Sequence, residues 1–268
     1  MKNRTRLPQI YLCVILLLMY LPLLLVIIYS FNDNKLSTSW SGFSWKWYKE
    51  LFEDRSIMEA LTNSIILGVL SSLSSAVIGT LGAVGMQKIK LRSKAVIEYV
   101  SLLPIMIPEI ILGIVFLTFF ALLGLPFGML TLVIAHTAFC IPYVYMQVKA
   151  RLVGLDKSLV EAAEDLGAGE WRAFFDITLP LIMPAVLSGI LLSFAMSFDD
   201  VIISIFVTGA NTNTLPLKIY TQLKTGVTPK MNALCTLMFA VTVFLVGLSS
   251  WVGSLSRNKH TKKMEDEK

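Results

Sequence analysis

The sequence predicts an all-α membrane protein with six transmembrane helices, organised as a single transmembrane domain over residues 1–268. Three observations carry this prediction. Of the 268 residues, 55% are hydrophobic and only 15% charged, with a mean hydropathy of +0.71; an ordinary soluble domain carries about 25% charged residues. The apolar residues fall into uncharged runs near 10–31, 61–86, 100–123, 129–148, 184–208 and 233–255, each long enough for the roughly 20 helical residues that cross a hydrocarbon core. Lys and Arg, finally, crowd into alternate connections. Sixteen of the 23 lie in segments on one side: Lys2, Arg4 and Arg6, then Lys88 to Lys94, then Lys149, Arg151, Lys157 and Arg172, then Arg257 to Lys268. This is the positive-inside bias, and it places both termini in the cytoplasm. The formal net charge of +5 is therefore a matter of topology and not a nucleic-acid patch.

The elements follow in order. The first run is preceded by Lys2, Arg4 and Arg6 and so resembles a secretory signal. It is longer than a signal core of about 7–15 residues, however, and lacks a small-residue cleavage site after it, so it is expected to remain as the first span. The outer loop that follows carries Trp40, Trp45, Trp47 and Tyr48. Such rings suit an interfacial belt; Trp47 is the candidate for cradling an ammonium by cation–π contact. In the second span Ser71, Ser75 and Gly79 recur every four residues, as do Gly68 and Ser72, which favours close helix approach.

The third span contains Pro104, Pro108 and, near its middle, Glu109. The prolines free backbone carbonyls and bend the helix there. In the fourth span His136 reads as a packed, hydrogen-bonded imidazole. Cys13, Cys140 and Cys235 all lie within spans without metal-ligand spacing and read as small packing residues. No nucleophile and base pair, no paired catalytic carboxylates and no phosphate-binding glycine loop occurs, so the chain is not itself an enzyme or an ATPase.

Between the fourth and fifth spans, Arg151 to Leu179 is too polar for the bilayer and too patterned for a linker. Asp156, or Ser158 with Glu161 three residues on, announces a short helix that runs through Ala162 and Ala163 to Gly167, which suits a left-handed C-terminal cap. A second helix over Glu170 to Thr178 presents Trp171, Phe174 and Phe175 and is expected to end at Pro180. On helix pattern alone, an amphipathic surface helix and a rigid knob that docks into another protein fit equally well.

In the fifth span, Ser193, Ser197, Asp200 and Ser204 fall at i, i+4, i+7 and i+11, one polar stripe on a continuous helix. That stripe is read as pore-facing. Asp199 points about 100° away, toward the pore or toward a neighbouring helix. A charge at the centre of a span costs about 2.5–3.5 kcal/mol on insertion scales and is a functional candidate by default. Glu109, Asp199 and Asp200, without a Lys or Arg inside the spans away from their ends, therefore favour a cationic solute, and carboxylates at different depths favour one with separated charges.

The run Glu161-Ala162-Ala163, Gly167, Ile177-x-Leu179-Pro180 matches, without a departure, the E-A-A-x-x-x-G-x(9)-I-x-L-P signature of binding-protein-dependent ABC importer permeases. Ser197-Phe198-Asp199-Asp200-Val201 and Leu215-Pro216-Leu217-Lys218-Ile219-Tyr220 resemble the spermidine/putrescine branch of that family. The resemblance implies the type I importer permease fold. It makes the loop helix a cytoplasmic coupling helix, whose Glu161, Ala162, Ala163 and Gly167 meet a separate ATPase. It also implies a second, related permease, two ATPase subunits that bind ATP and magnesium in place of any cofactor here, an extracytoplasmic binding protein, and residence in the bacterial inner membrane. Competing readings are an importer for another cation or small organic solute, and a proton-coupled carrier that uses the buried carboxylates as relays.

Overall fold

The computed structural model describes residues 6–34, 39–89, 92–156, 158–224 and 226–266, with side chains described from Pro8 to Trp251 within those ranges. The lysines and arginines at 2, 4, 6, 35, 90, 157 and in the tail after Trp251 lie outside the described side chains. The elements are helical throughout: α1 Arg6–Tyr29, α2 Lys46–Glu53, α3 Arg55–Lys88, α4 Lys94–Met106, α5 Glu109–Leu122, α6 Met129–Val153, α7 Ser158–Asp165, α8 Glu170–Ala173, α9 Leu179–Asp199, α10 Ile202–Val207, α11 Leu215–Leu223 and α12 Pro229–Asp266. Among the described residues, five helices are long and apolar enough to cross a membrane, and the bent pair α4 and α5 supplies a sixth span. All six predicted runs thus have a helical counterpart. Two of them are interrupted.

The chain packs as two compact units, Met1–Glu59 with Lys218–Val241 and Ala60–Leu217 with Thr242–Lys268. In the first, α1 is apolar and exposed along nearly its whole length, as a helix facing lipid must be. The loop after it is folded on Asn32, whose side-chain amide donates to the Ser39 carbonyl (2.7 Å) and whose Oδ1 accepts from the Ser41 backbone N–H (2.9 Å). Phe31 stacks on Phe43 and meets Trp45 edge-on. At the α2–α3 junction the Asp54 carboxylate caps α3 by accepting from Ser56 and Ile57 N–H, and Lys230 donates to it at 2.6 Å. The Lys230 ammonium and these donors hold the Asp54 carboxyl down at about 2.

In the second unit, small residues on α3 set the spacing as the four-residue pattern predicts. Ser71, Ser72 and Ser75 are buried, and a Cβ on Gly79 would lie 2.9 Å from Val144 Cβ on α6. From the other side Gly189 on α9 abuts the Val144 backbone, so α6 is gripped between two glycines. Leu67, Leu112, Phe120, Leu132, Phe139, Ile203 and Val207 form one apolar core, and Val144, Val148, Leu152, Ile182 and Val186 contribute to another.

Two sequence expectations are corrected here. Pro180 does not end a helix: a π-helical turn, Phe174–Thr178, carries α8 straight into α9, and Glu170–Asp199 is one span. Leu179 N–H bonds the carbonyl five residues back, and the wider turn, with Pro180 sitting at the start of α9 where no donor is required, removes the usual conflict. The fifth span, expected to be continuous over 184–208, breaks at Asp200 and Val201, where Asp200 adopts an extended backbone with ψ 130°.

Candidate functional site: two helix breaks and a cytoplasmic knob

The third span is broken, not merely bent. Ile107 and Pro108 are both extended, and α4 meets α5 at 102°. Proline restricts the residue before it to extended geometry and lacks the N–H that would continue the helix. Glu109 is thereby the first residue of α5 and is exposed on the unit's surface. The glycine at 113 lets α5 pack directly on Phe206 of α10, bringing the two breaks into one region. Glu109 and Asp199 each lie within electrostatic reach of Asp200.

The second break divides two adjacent aspartates. Asp199 is the last residue of α9 and is exposed; Asp200 is buried, 8% accessible. The Asp200 carboxylate accepts from Ile203 N–H at 3.2 Å, from Ser204 N–H at 2.9 Å and from the Ser204 hydroxyl at 3.0 Å. It does the work of an N-cap for α10. His136 of α6 stands beside it with Nε2 at 3.4 Å from Oδ2. The other ring nitrogen is 2.8 Å from Ser197 Oγ, which lies 3.0 Å from Ser71 Oγ. His136 is a packed, hydrogen-bonded imidazole, as read from the sequence.

Ser193, Ser197, Asp200 and Ser204, read from the sequence as one pore-facing stripe, are all buried. The stripe faces α3 and α6 of the same unit, because the break turns Asp200 inward to satisfy amides that the end of α9 cannot. Among the described residues no lysine or arginine pairs with Glu109, Asp199 or Asp200. Trp47, the candidate for cradling an ammonium, is 6% accessible, its indole N–H donates to the Asn32 carbonyl at 2.6 Å, and Lys46 sits over its ring at 5.1 Å. It anchors its own loop in the first unit. Sequence reasoning missed His136 as a partner of Asp200; the signal available was a single imidazole inside a span that otherwise lacked a companion for the carboxylates.

On the loop between the fourth and fifth spans, Asp156 Oδ1 accepts from Ser158 N–H at 3.0 Å, which holds its carboxyl below the usual range. Asp156, not Ser158, is thus the capping group of α7. At the other end Gly167 N–H bonds Glu164 O and Ala168 N–H bonds Ala163 O, both at 2.9 Å. With φ +88° at Gly167 this is a Schellman cap. Glu161, Ala162 and Gly167 are exposed, Ala163 is half-buried, and a side chain at Gly167 would meet nothing within 4 Å. Beside the knob a cleft of about 190 Å³ opens among Leu81, Lys88, Val160, Glu170 and Trp171, with Lys88 Nζ 3.2 Å from Glu170.

The family model described as "binding-protein-dependent transport system inner membrane component" matches residues 75–258. The chain belongs to this family. Among curated relatives of this family member, the spermidine/putrescine transport system permease protein PotC of Haemophilus influenzae is 36% identical over 258 residues, covering 96% of this chain and all of that protein. The putrescine transport system permease protein PotI of Escherichia coli K12 is 41% identical over 240 residues, 87% of this chain and 85% of that protein. Among solved structures, a bacterial ABC transporter involved in import of the acidic polysaccharide alginate superposes with a TM-score of 0.69 at 16% identity, over 93% of this permease and 98% of that chain. That likeness shows the fold, that of an ABC importer permease. This family member is a multi-pass membrane protein.

Proposed function

We propose that the chain is a polyamine permease, forming half of the translocation pathway of an ABC importer for spermidine or putrescine. A second, related permease completes the pathway. Two copies of a separate ATPase bind ATP and magnesium, and one of them docks on α7 through Glu161, Ala162, Ala163 and Gly167. An extracytoplasmic binding protein delivers the solute, and the chain sits in the inner membrane with both termini cytoplasmic.

The observation that carries the reading is the placing of Glu109 and Asp199. Both are exposed carboxylates at helix breaks, without a basic side chain paired to them among the described residues. An uncompensated carboxylate inside a span is costly, and an ammonium on the passenger offsets that cost as it goes by. Two such groups suit a solute with separated positive charges. Relatives named for spermidine and putrescine transport support the same choice.

The test is uptake of labelled spermidine and putrescine by cells expressing the whole importer, with this chain as wild type or Asp199→Asn. Asp199→Asn is expected to cut uptake at least tenfold while the complex still assembles. Wild-type cells that take up neither polyamine, or an Asp199→Asn variant that transports normally at normal abundance, would overturn the assignment.

A further inference from the structure

The transport reading employs Glu109 and Asp199 and leaves the fully buried His136 without a task. Its surroundings supply one. The two ring nitrogens reach opposite sides of the break in the fifth span: Nδ1 is 2.8 Å from Ser197 Oγ on α9, whereas Nε2 is 3.2 Å from Ser204 Oγ on α10 and 3.4 Å from Asp200 Oδ2. An imidazole is planar and rigid, and α6, which carries it, runs unbroken past the break. It therefore acts as a rung of fixed length between two helix ends that the backbone connects through Asp200 and Val201. We propose that His136 is a positioning residue that fixes which of the two adjacent aspartates faces outward.

Local chemistry makes such a device necessary. Asp199 and Asp200 are the same side chain one residue apart, so moving the break by one residue would exchange their places. Asp200 wins the interior because three donors are hydrogen-bonded to it, two amides and the Ser204 hydroxyl, and His136 Nε2 stands 3.4 Å away. The three donors belong to α10 itself and travel with it. The imidazole belongs to a different helix and ties Asp200 to the rest of the unit, through Ser204 Oγ at 3.2 Å and by its own proximity at 3.4 Å. The carboxylate beside Nε2 favours the ring form that carries a proton on Nε2, directed at Asp200 and Ser204, with Nδ1 against Ser197 Oγ. The Asp200 arm is thus the one that holds Asp199 outward, and the Ser197 arm only fixes the ring. The effect on uptake rests on the polyamine reading; the geometry does not.

The experiment compares His136, His136→Gln, His136→Asn and His136→Ala in the complete importer. Glutamine reproduces the Nε2 donor, and asparagine reproduces the position of Nδ1. First, with Cys13, Cys140 and Cys235 replaced by alanine and with Asp199→Cys introduced, the detergent-solubilised complex is labelled with a hydrophilic maleimide. The thiol introduced by Asp199→Cys is expected to react readily with His136 present, within threefold of that rate in His136→Gln, and at least fivefold more slowly in His136→Asn and His136→Ala. Second, with Asp199 restored, His136→Asn is expected to raise the KM for spermidine uptake at least fivefold with little change in maximal rate. If alanine prevents assembly, the near-isosteric glutamine and asparagine pair decides. Equal labelling in all backgrounds, a glutamine variant as slow as the asparagine one, or an introduced thiol that is unreactive even beside His136 overturns the proposal. Wild-type membranes that take up no polyamine, alongside Asp199→Cys complexes that show the expected labelling, overturn the transport reading alone.

Discussion

Gly167 allows a quantitative test of the docking knob. Its φ of +88° lies where a non-glycine residue is disfavoured, and a left-handed conformation costs an L-residue about 1–2 kcal/mol. The two Schellman bonds, Gly167 N–H to Glu164 O and Ala168 N–H to Ala163 O, depend on that conformation. In Gly167→Ala the side chain itself meets nothing within 4 Å, so the penalty is purely one of backbone. It lowers the population of the closed cap by roughly 5–30-fold, the factor that corresponds to 1–2 kcal/mol. Gly167→Asn is the informative partner, because asparagine tolerates the left-handed region better than alanine yet is larger.

The assay is spermidine-stimulated ATPase activity of the reconstituted importer, together with hydrogen exchange at the Gly167 and Ala168 amides. If the cap conformation is what the ATPase recognises, Gly167→Ala loses stimulation and its amides exchange at least fivefold faster, while Gly167→Asn is milder in both. If the open face is what matters, asparagine is the worse of the two in ATPase stimulation although its amides remain protected. Full stimulation in both variants with accelerated exchange in alanine would refute the assignment of Gly167 to coupling.

Two further predictions concern packing and charge. Gly79→Ala places a methyl 2.9 Å from Val144 Cβ and 3.1 Å from the Ile141 carbonyl and is expected to destabilise the protein by about 1–3 kcal/mol in thermal unfolding. Gly85→Ala on the same helix meets nothing and is expected to be neutral or stabilising. For Asp54, whose folded value near 2 lies below the ordinary 3.8, the sign follows from linkage. The group stabilises fully above about pH 4, and that contribution is lost as the pH falls toward 2. Melting of the detergent-solubilised protein is expected to depend less on pH in Asp54→Asn than in wild type between pH 5 and 3.

What was legible in the sequence depended on how far away the cause lay. The spans, the α7 cap at Gly167 and the disruption at Pro108 each have local causes: uncharged length, a glycine at the C′ position, a missing N–H. The break at Asp200 has no such mark. Ser-Phe-Asp-Asp-Val-Ile-Ile-Ser contains neither proline nor glycine, and a continuous helix even places Asp200 correctly in phase with Ser193 and Ser197. What interrupts it is a carboxylate that caps α10 and an imidazole supplied from 64 positions earlier in the chain. A partner outside its own helix also hid the role of Trp47, whose indole N–H is consumed by a carbonyl 15 residues away. At Pro180 a valid local rule failed because a π-helical turn supplied an arrangement in which the missing donor is not required.

The pair Asp199 and Asp200 shows why breaks and carboxylates coincide in this protein. Breaking a helix inside the membrane exposes amides with no water to satisfy them, at several kcal/mol each. A carboxylate two residues before the new helix accepts two of those amides at once, so Asp200 both terminates α9 and starts α10. Its charge is then surrounded by donors and is of little use to a passing cation. The neighbouring carboxylate, Asp199, sits at the end of α9 with nothing among the described residues to pair with it. The buried aspartate therefore makes the exposed one available: Asp200 supports the geometry in which Asp199 offers an unneutralised charge within the span. This division of labour predicts opposite signatures. Losing Asp199 should weaken uptake in a protein of ordinary stability, whereas losing Asp200 should weaken both together, because the amides of Ile203 and Ser204 are then left unsatisfied.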